Sequence, residues 1–271
     1  MNKISSLWRV GVLAAAVLGG SGGAYAATVF QDDFSAPIVA GSCAYPNAAD
    51  PNAQWRQDTM RFTSFATTSV GVTNGALAIS SNDTGGGGVV SKTDSRFDFI
   101  SPGQKRKFIV KGVNVAGAGD DVNSKMFRFL LAAEECGGIT SPHFQMTVYA
   151  NGQFAITVGK PSITGNMIEN TLIDMNYSMP QAADQLELTL DNTDYELSFV
   201  FNVAAKSQRP AYQGAFSYRG KHGMDAATWN KYRNVGAPGA ASIGLYATSL
   251  SLTYPVTDVT VDSITVTDGA P

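Results

Sequence analysis

Charge is what this sequence has least of. Of its 271 residues only 15% are Asp, Glu, Lys or Arg, where an ordinary soluble domain carries about 25%. Lys and Arg number 19 against 22 Asp and Glu. With no basic excess, the electrostatic footprint of a nucleic-acid-binding domain is missing. Cysteine is nearly absent. Cys43 and Cys136 lie far apart and in no CxxC pattern, which argues against a thiol redox role. Long apolar runs are missing beyond the N-terminus, so no integral membrane association is expected. Helix signals are sparse and no βαβ rhythm occurs. What the chain has instead is 44% hydrophobic residues and 28 glycines. That hydrophobicity excludes disorder. Low charge with many small polar residues suits a β-rich protein outside the cytoplasm.

The N-terminus carries the export pattern. Lys3 and Arg9 supply positive charge, Val10 to Leu18 is a short apolar run, and Ala24-Tyr25-Ala26 is a small-x-small cleavage site. Together these read as a Sec signal peptide. The run is about half the roughly 20 residues that span a bilayer, so it is not read as an anchor. Residues 1–26 are expected to be removed, and 27–271 to form a single domain, periplasmic or secreted and monomeric. No cysteine follows the signal in lipobox position. In an oxidising compartment Cys43 and Cys136 read as a disulfide, contributing up to about 4.6 kcal/mol in the chain-entropy model. The alternative is two buried free thiols.

Strand signals are many and short. Asn74-Gly75 turns into Gly75–Ser80, and Gly88–Lys92 and Lys107–Val115 follow. Met126–Ala133 is apolar except for Arg128, as in a strand buried on both faces. His143–Ala150 and Gln153–Gly159 flank Asn151-Gly152, the strongest type I′ hairpin signal because both central residues need positive φ. Leu186–Leu190, Tyr195–Val203, Ala241–Ala247 and Val256–Thr267 complete the set, and Asp225 opens a short helix over Ala226–Arg233. The pattern predicts an all-β sandwich or jelly roll.

Four fragments, in this order, resemble the concanavalin A-like lectin/glucanase superfamily: Phe30-Gln31-Asp32-Asp33-Phe34-Ser35, Asn74 to Ile79, Ser242-Ile243-Gly244-Leu245-Tyr246-Ala247 and Val261 to Val266. The resemblance implies a jelly roll of two curved antiparallel sheets with the chain ends paired on the back sheet. It implies carbohydrate binding or cleavage, with no required cofactor. Many members bind a structural calcium near the paired ends, and Asp33 and Asp262 stand there as suitable hard ligands. The other reading is that both solvate strand ends.

The glucanase pattern Glu-x-Asp-x-x-Glu is absent. Glu134 and Glu135 are adjacent and on a strand would point to opposite faces, so one would need a partner such as Asp194 or Glu196. The lyases of the superfamily combine an Arg-x-Glu-x-Arg strand, a Gln-x-His strand and a late Gly-x-Tyr. Gly244-Leu245-Tyr246 matches the last, Lys107, Ile109 and Lys111 keep the spacing of the first, and His143-Phe144-Gln145 reverses the second. The missing carboxylate pattern and the presence of these residues favour β-elimination, in which Tyr246 or His143 (alternatively His222 or Tyr218) takes the proton and Arg128, Gln145 and Arg219 handle the carboxylate. Tyr246 also reads as a packed aromatic, His143 as a structural histidine, and Arg128 as a charge that needs a partner.

Residues 204–240 form an expected inserted loop region. It gathers Tyr218, Arg219, His222, Trp229, Tyr232 and Arg233, with Asp225 as its one acid. Aromatic faces stack on sugars and cations pair with carboxylates, so these six are the candidate substrate-binding residues. Trp229, Tyr232 and Arg233 share a helix face, which could equally pack on the sandwich. The reading is an exported protein acting on an anionic polysaccharide by β-elimination, with a glycoside hydrolase or a non-catalytic lectin-like or matrix protein as alternatives. For the cysteines, intact-mass analysis is expected to show two added hydrogens on reduction. An unchanged mass means free thiols.

Overall fold

The computed structural model describes residues 26–36, 38, 41–42, 54–59, 68–82, 86–99, 101–116, 125–132, 143–150, 154–161, 167–175, 182–203, 216–232, 239–249 and 256–269. Cys43, Glu134, Glu135, Cys136, Arg233 and residues 1–25 lie outside them.

Period-two alternation builds the strands, numbered here along the chain. The first sheet holds β1 (Thr28–Asp32), β4 (Thr68–Thr73), β5 (Ala76–Asn82), β7 (Lys105–Ala116), β12 (Ala182–Asp191), β13 (Glu196–Val203), β14 (Phe216–Gly223), β16 (Val256–Val261) and β17 (Ser263–Thr267). Its order is β14-β13-β12-β7-β16-β5-β4, with β17 also on β7 and β1 on β17. The second sheet holds β2 (Gly41–Ser42), β3 (Trp55–Thr59), β6 (Gly87–Ser91), β8 (Lys125–Ala132), β9 (His143–Tyr149), β10 (Phe154–Pro161), β11 (Met167–Met175) and β15 (Ser242–Ser249). Its order is β11-β10-β9-β8-β15-β6-β3-β2. All pairings are antiparallel except β2 with β3.

The expected pairing of the chain ends is present, with Asp32 opposite Ile264 and Phe30 opposite Val266. Asn74 and Gly75 turn β4 into β5 with φ of 55° and 75°. Two expectations change. Val256–Thr267 is two strands, because Asp262 leaves the ladder and donates its N–H to the Lys111 carbonyl at 2.9 Å. Gly112, at φ 65°, makes room for it, since a Cβ there would meet the Asp262 carboxylate at 2.0 Å. The expected loop at 204–240 contains an edge strand of the first sheet, β14, and a helix, α1 (Ala226–Tyr232).

The core is an aromatic layer between the sheets. Phe108 of β7 meets Phe129 of β8 at 6.0 Å, and Phe99 touches both Phe108 and Phe144. Phe154 of β10 reaches Phe199 of β13 at 5.5 Å. A polar tie crosses the same gap: the Trp55 indole N–H donates to the Asp32 carboxylate at 2.7 Å, joining β3 to the end of β1. Phe129 is 1% exposed, so Phe129→Ala is expected to destabilise by about 3–5 kcal/mol. Urea unfolding checks this. A loss under about 1 kcal/mol would mean the ring is not packed between the sheets.

Candidate functional site

Alternation settles which side chains leave the core. On β8, Phe127, Phe129 and Leu131 join the aromatic layer, so Met126, Arg128 and Leu130 project from the other face. The register then aligns neighbours across five more strands. Asp58 of β3 lies opposite Gly88 of β6, Gly88 opposite Tyr246 of β15, Tyr246 opposite Arg128, Arg128 opposite Thr147 of β9, and Thr147 opposite Ala155 of β10. The next row on this face runs Arg56, Val90, Gly244, Leu130, Gln145, Thr157. Three of the four residues assigned to chemistry from the sequence, Arg128, Gln145 and Tyr246, therefore converge. The fourth, His143, stands two residues before Gln145, opposite Ala132 and Gly159. Its backbone position belongs to the same face.

The cluster is bonded in two parts. The Tyr246 hydroxyl donates to Asp58 Oδ2 at 2.8 Å. Arg128 Nη1 donates to Gln145 Oε1 at 3.5 Å, and Gln145 Nε2 donates to Thr147 Oγ1 at 2.9 Å. Arg128 Nε also points at Met126 Sδ, 3.3 Å away. Exposure is low throughout: Arg128 9%, Asp58 5%, Gln145 and Tyr246 1%. A guanidinium and an amide thus stand side by side with a phenol, an arrangement able to receive a carboxylate and to supply a proton.

Burial raises the Tyr246 phenol well above its usual value, and the charge of Asp58 and its hydrogen bond raise it further. Asp58 and Thr147 were not legible beforehand. Aspartate is uncommon in strands, and only the register brings Asp58 to Tyr246.

Among the described residues of 204–240, Arg219, His222 and Trp229 do not join this cluster. Arg219 of β14 pairs with Val200 on the outer face of the first sheet, across the sandwich from Arg128. It lines a hollow of about 290 Å³ with Lys107, Glu187 and Lys221. Lys107 pairs with Glu187 at 3.5 Å and Lys221 with Glu196 at 2.9 Å, so the Lys107-x-Ile109-x-Lys111 spacing belongs to a solvated face of cross-strand ion pairs. His222 stands in register with the core residue Leu197, on the inter-sheet side of the edge strand, and Tyr218 is paired in the backbone ladder with Phe201. Trp229 is wholly buried against Phe144, ring centres 5.1 Å apart. It closes the core and has no face open to a sugar. Tyr232 ends α1. Asp194 sits in the turn between β12 and β13, and Glu196 opens β13, so neither reaches the polar row.

The calcium expected at Asp33 and Asp262 is not tested by the described residues alone. Among the described residues no group of three or more His, Cys, Asp or Glu side chains is placed to hold a metal. Asp33 accepts from its own Ser35, whose hydroxyl and amide hold the carboxyl below its usual value. Asp262 packs over Gly112.

No protein-family model matches the sequence, and no curated protein does. Solved structures do. The lectin UEA-II complexed with galactose is similar with TM-score 0.52 and 11% identity, over 88% of this chain and 97% of that one. Arcelin-5, a lectin-like defense protein from Phaseolus vulgaris, gives 0.50 and 11% over 80% and 93%. A glycoside hydrolase family 16 endo-glucanase from Bacteroides ovatus gives 0.48 and 11% over 88% and 99%. Identities of this size speak for the fold alone.

The raised phenol makes stability depend on alkalinity. Tyr246 stays protonated in the fold, whereas an unfolded tyrosine ionises near pH 10. Its contribution is present below about pH 10 and is lost as pH rises beyond that value. Urea unfolding at pH 8 and pH 10.5 is expected to show this loss, and Tyr246→Phe is expected to lose less between the two. Equal losses in both proteins would contradict the assignment.

Proposed function

From its concanavalin A-like jelly-roll fold we propose that this chain is an exported protein that engages an anionic polysaccharide on the outer face of the second sheet and cleaves it by β-elimination. The observation that carries this reading is the convergence of Arg128, Gln145 and Tyr246 from three adjacent strands. In a uronate the proton on C5 becomes acidic once the neighbouring carboxylate is neutralised. Arg128 and Gln145 supply that neutralisation through charge-assisted hydrogen bonds. A base on the same face removes the proton, the C4=C5 bond forms, and the leaving C4 oxygen is protonated. Among the described residues of this face, Tyr246, His143 and Asp58 have the chemistry to move protons, and Tyr246 and His143 are the pair we assign to these two.

Hydrolysis is less well supported. It needs two carboxylates about 5–9.5 Å apart, and in the two rows from β3 to β10 the one carboxylate is Asp58. Non-catalytic glycan binding is the second reading, supported by the likeness of the fold to the lectin UEA-II complexed with galactose.

A panel of uronate polysaccharides is the test. The expected result is growing ultraviolet absorbance from the new double bond, with Arg128→Ala lowering kcat/KM by about 10²–10³. Retained binding on an affinity gel with no absorbance overturns the lyase assignment in favour of glycan binding. New reducing ends without absorbance overturn it in favour of hydrolysis.

A further inference from the structure

The bond between Tyr246 and Asp58 spans two strand spacings. Tyr246 lies on β15 and Asp58 on β3, with β6 between them. Neighbouring strands stand about 4.8 Å apart, so an ordinary side chain on β6 would fill the path. The residue there is Gly88, opposite both Asp58 and Tyr246. A Cβ on it would fall 2.0 Å from the Leu245 carbonyl oxygen and 2.7 Å from Tyr246 Cα. A second glycine shapes the same path. A Cβ on Gly244 would meet the Tyr246 ring at 2.2 Å and its hydroxyl at 3.0 Å. The ring therefore lies along its own strand over Gly244, and its hydroxyl is carried across to Asp58.

We propose that Asp58 is a positioning residue that fixes Tyr246 as the proton donor of this site, through the opening left by Gly88 and Gly244. The inference rests on reading this face as the polysaccharide site. The geometry assigns the phenol a direction: its proton is held between Oη and a buried carboxylate. A phenol in that setting stays protonated, so it cannot be the base, and the proton it keeps is the one available to a leaving oxygen. Removal of the C5 proton then falls to a different group, and His143 holds the register position for it. The base takes the proton from C5, and the C–H electron pair becomes the C4=C5 bond. The C4–O bond breaks with its pair going to oxygen, and the Tyr246 proton is delivered to that oxygen. One proton leaves carbon and one reaches oxygen, and the protonated base restores Tyr246 through solvent.

Among the described residues the charged and titratable groups around the phenol are few. From β3 come Asp58 and Arg56, and from β8 comes Arg128. On β9 His143 lies further along the face. β6 and β15 carry none. Arg128, opposite Tyr246, stands where it would offset the charge that forms on the phenolate.

The first test needs no turnover. Ultraviolet titration of tyrosinate in the mature protein, with the Tyr246→Phe curve subtracted, isolates Tyr246 from the other eight tyrosines that follow residue 26. Tyr246 is expected to stay protonated past pH 10 in the wild type, and Asp58→Asn to move its transition to lower pH. Asp58→Asn/Tyr246→Phe is expected to titrate like Tyr246→Phe. An unchanged transition in Asp58→Asn, or ionisation of wild-type Tyr246 at or below pH 10, overturns the inference. With a uronate substrate, Asp58→Asn is expected to lower kcat at least tenfold with little change in KM and to pull the alkaline limb of the pH profile down. Asp58→Glu is expected to recover part of kcat. Wild-type kcat and pH profile in Asp58→Asn overturn the inference. Absence of turnover on every substrate contradicts the lyase reading, while the titration still decides the role of Asp58.

Discussion

The aromatic layer between the two sheets is the constraint from which the rest follows. Once Phe127 and Phe129 are committed to it, the pleat forces Arg128 to the opposite face. The same rule acts on β15, where Ile243, Leu245 and Ala247 join the core and Tyr246 is turned outward. A slip of one residue in either strand would exchange the two sets. Packing of Phe108 against Phe129 thus holds the register that places Tyr246 opposite Arg128. The polar face is a consequence of the core.

Burying an arginine and an aspartate on one face is costly unless each finds partners. The polar row meets that cost by pairing. Asp58 receives the Tyr246 hydroxyl, and Arg128 faces the Gln145 amide, which is itself held by Thr147. A network of this kind is stiff, because a low dielectric penalises any group that leaves it. Stiffness suits the proposed site, which would hold a sugar carboxylate and a departing oxygen in fixed relation. The two glycines make the network possible. At Gly244 the absence of a Cβ is what lets the ring lie flat, and at Gly88 it is what lets β6 approach the backbone of β15.

Much of the scaffold was legible in the sequence, because alternation and turn chemistry are local. The Asn74-Gly75 turn, the apolar run of β8 around Arg128, and the short helix after Asp225 all appear where their residues placed them. The paired chain ends followed from the superfamily resemblance. Strand β14 was not legible. Its FSYRGKHG sequence lacks apolar alternation, since an edge strand buries little, and its basic residues read as a ligand-binding loop. Trp229 misled for a related reason: an aromatic on a short helix looks the same whether it stacks on a sugar or caps a core. Among the site residues, Arg128 and Tyr246 announced themselves as a charge in an apolar strand and a Gly-x-Tyr. Asp58 carried no local signal, and only the sheet order joins it to a residue 188 positions away in the chain.

The claim that the outer face of the second sheet is the polysaccharide site is tested most directly by a crystal structure with a bound uronate oligosaccharide. The account predicts a sugar carboxylate within hydrogen-bond distance of Arg128 and Gln145, and a glycosidic oxygen next to the Tyr246 hydroxyl. A sugar seated on the first sheet in the Lys107–Arg219 hollow, with the Arg128 row untouched, would contradict it.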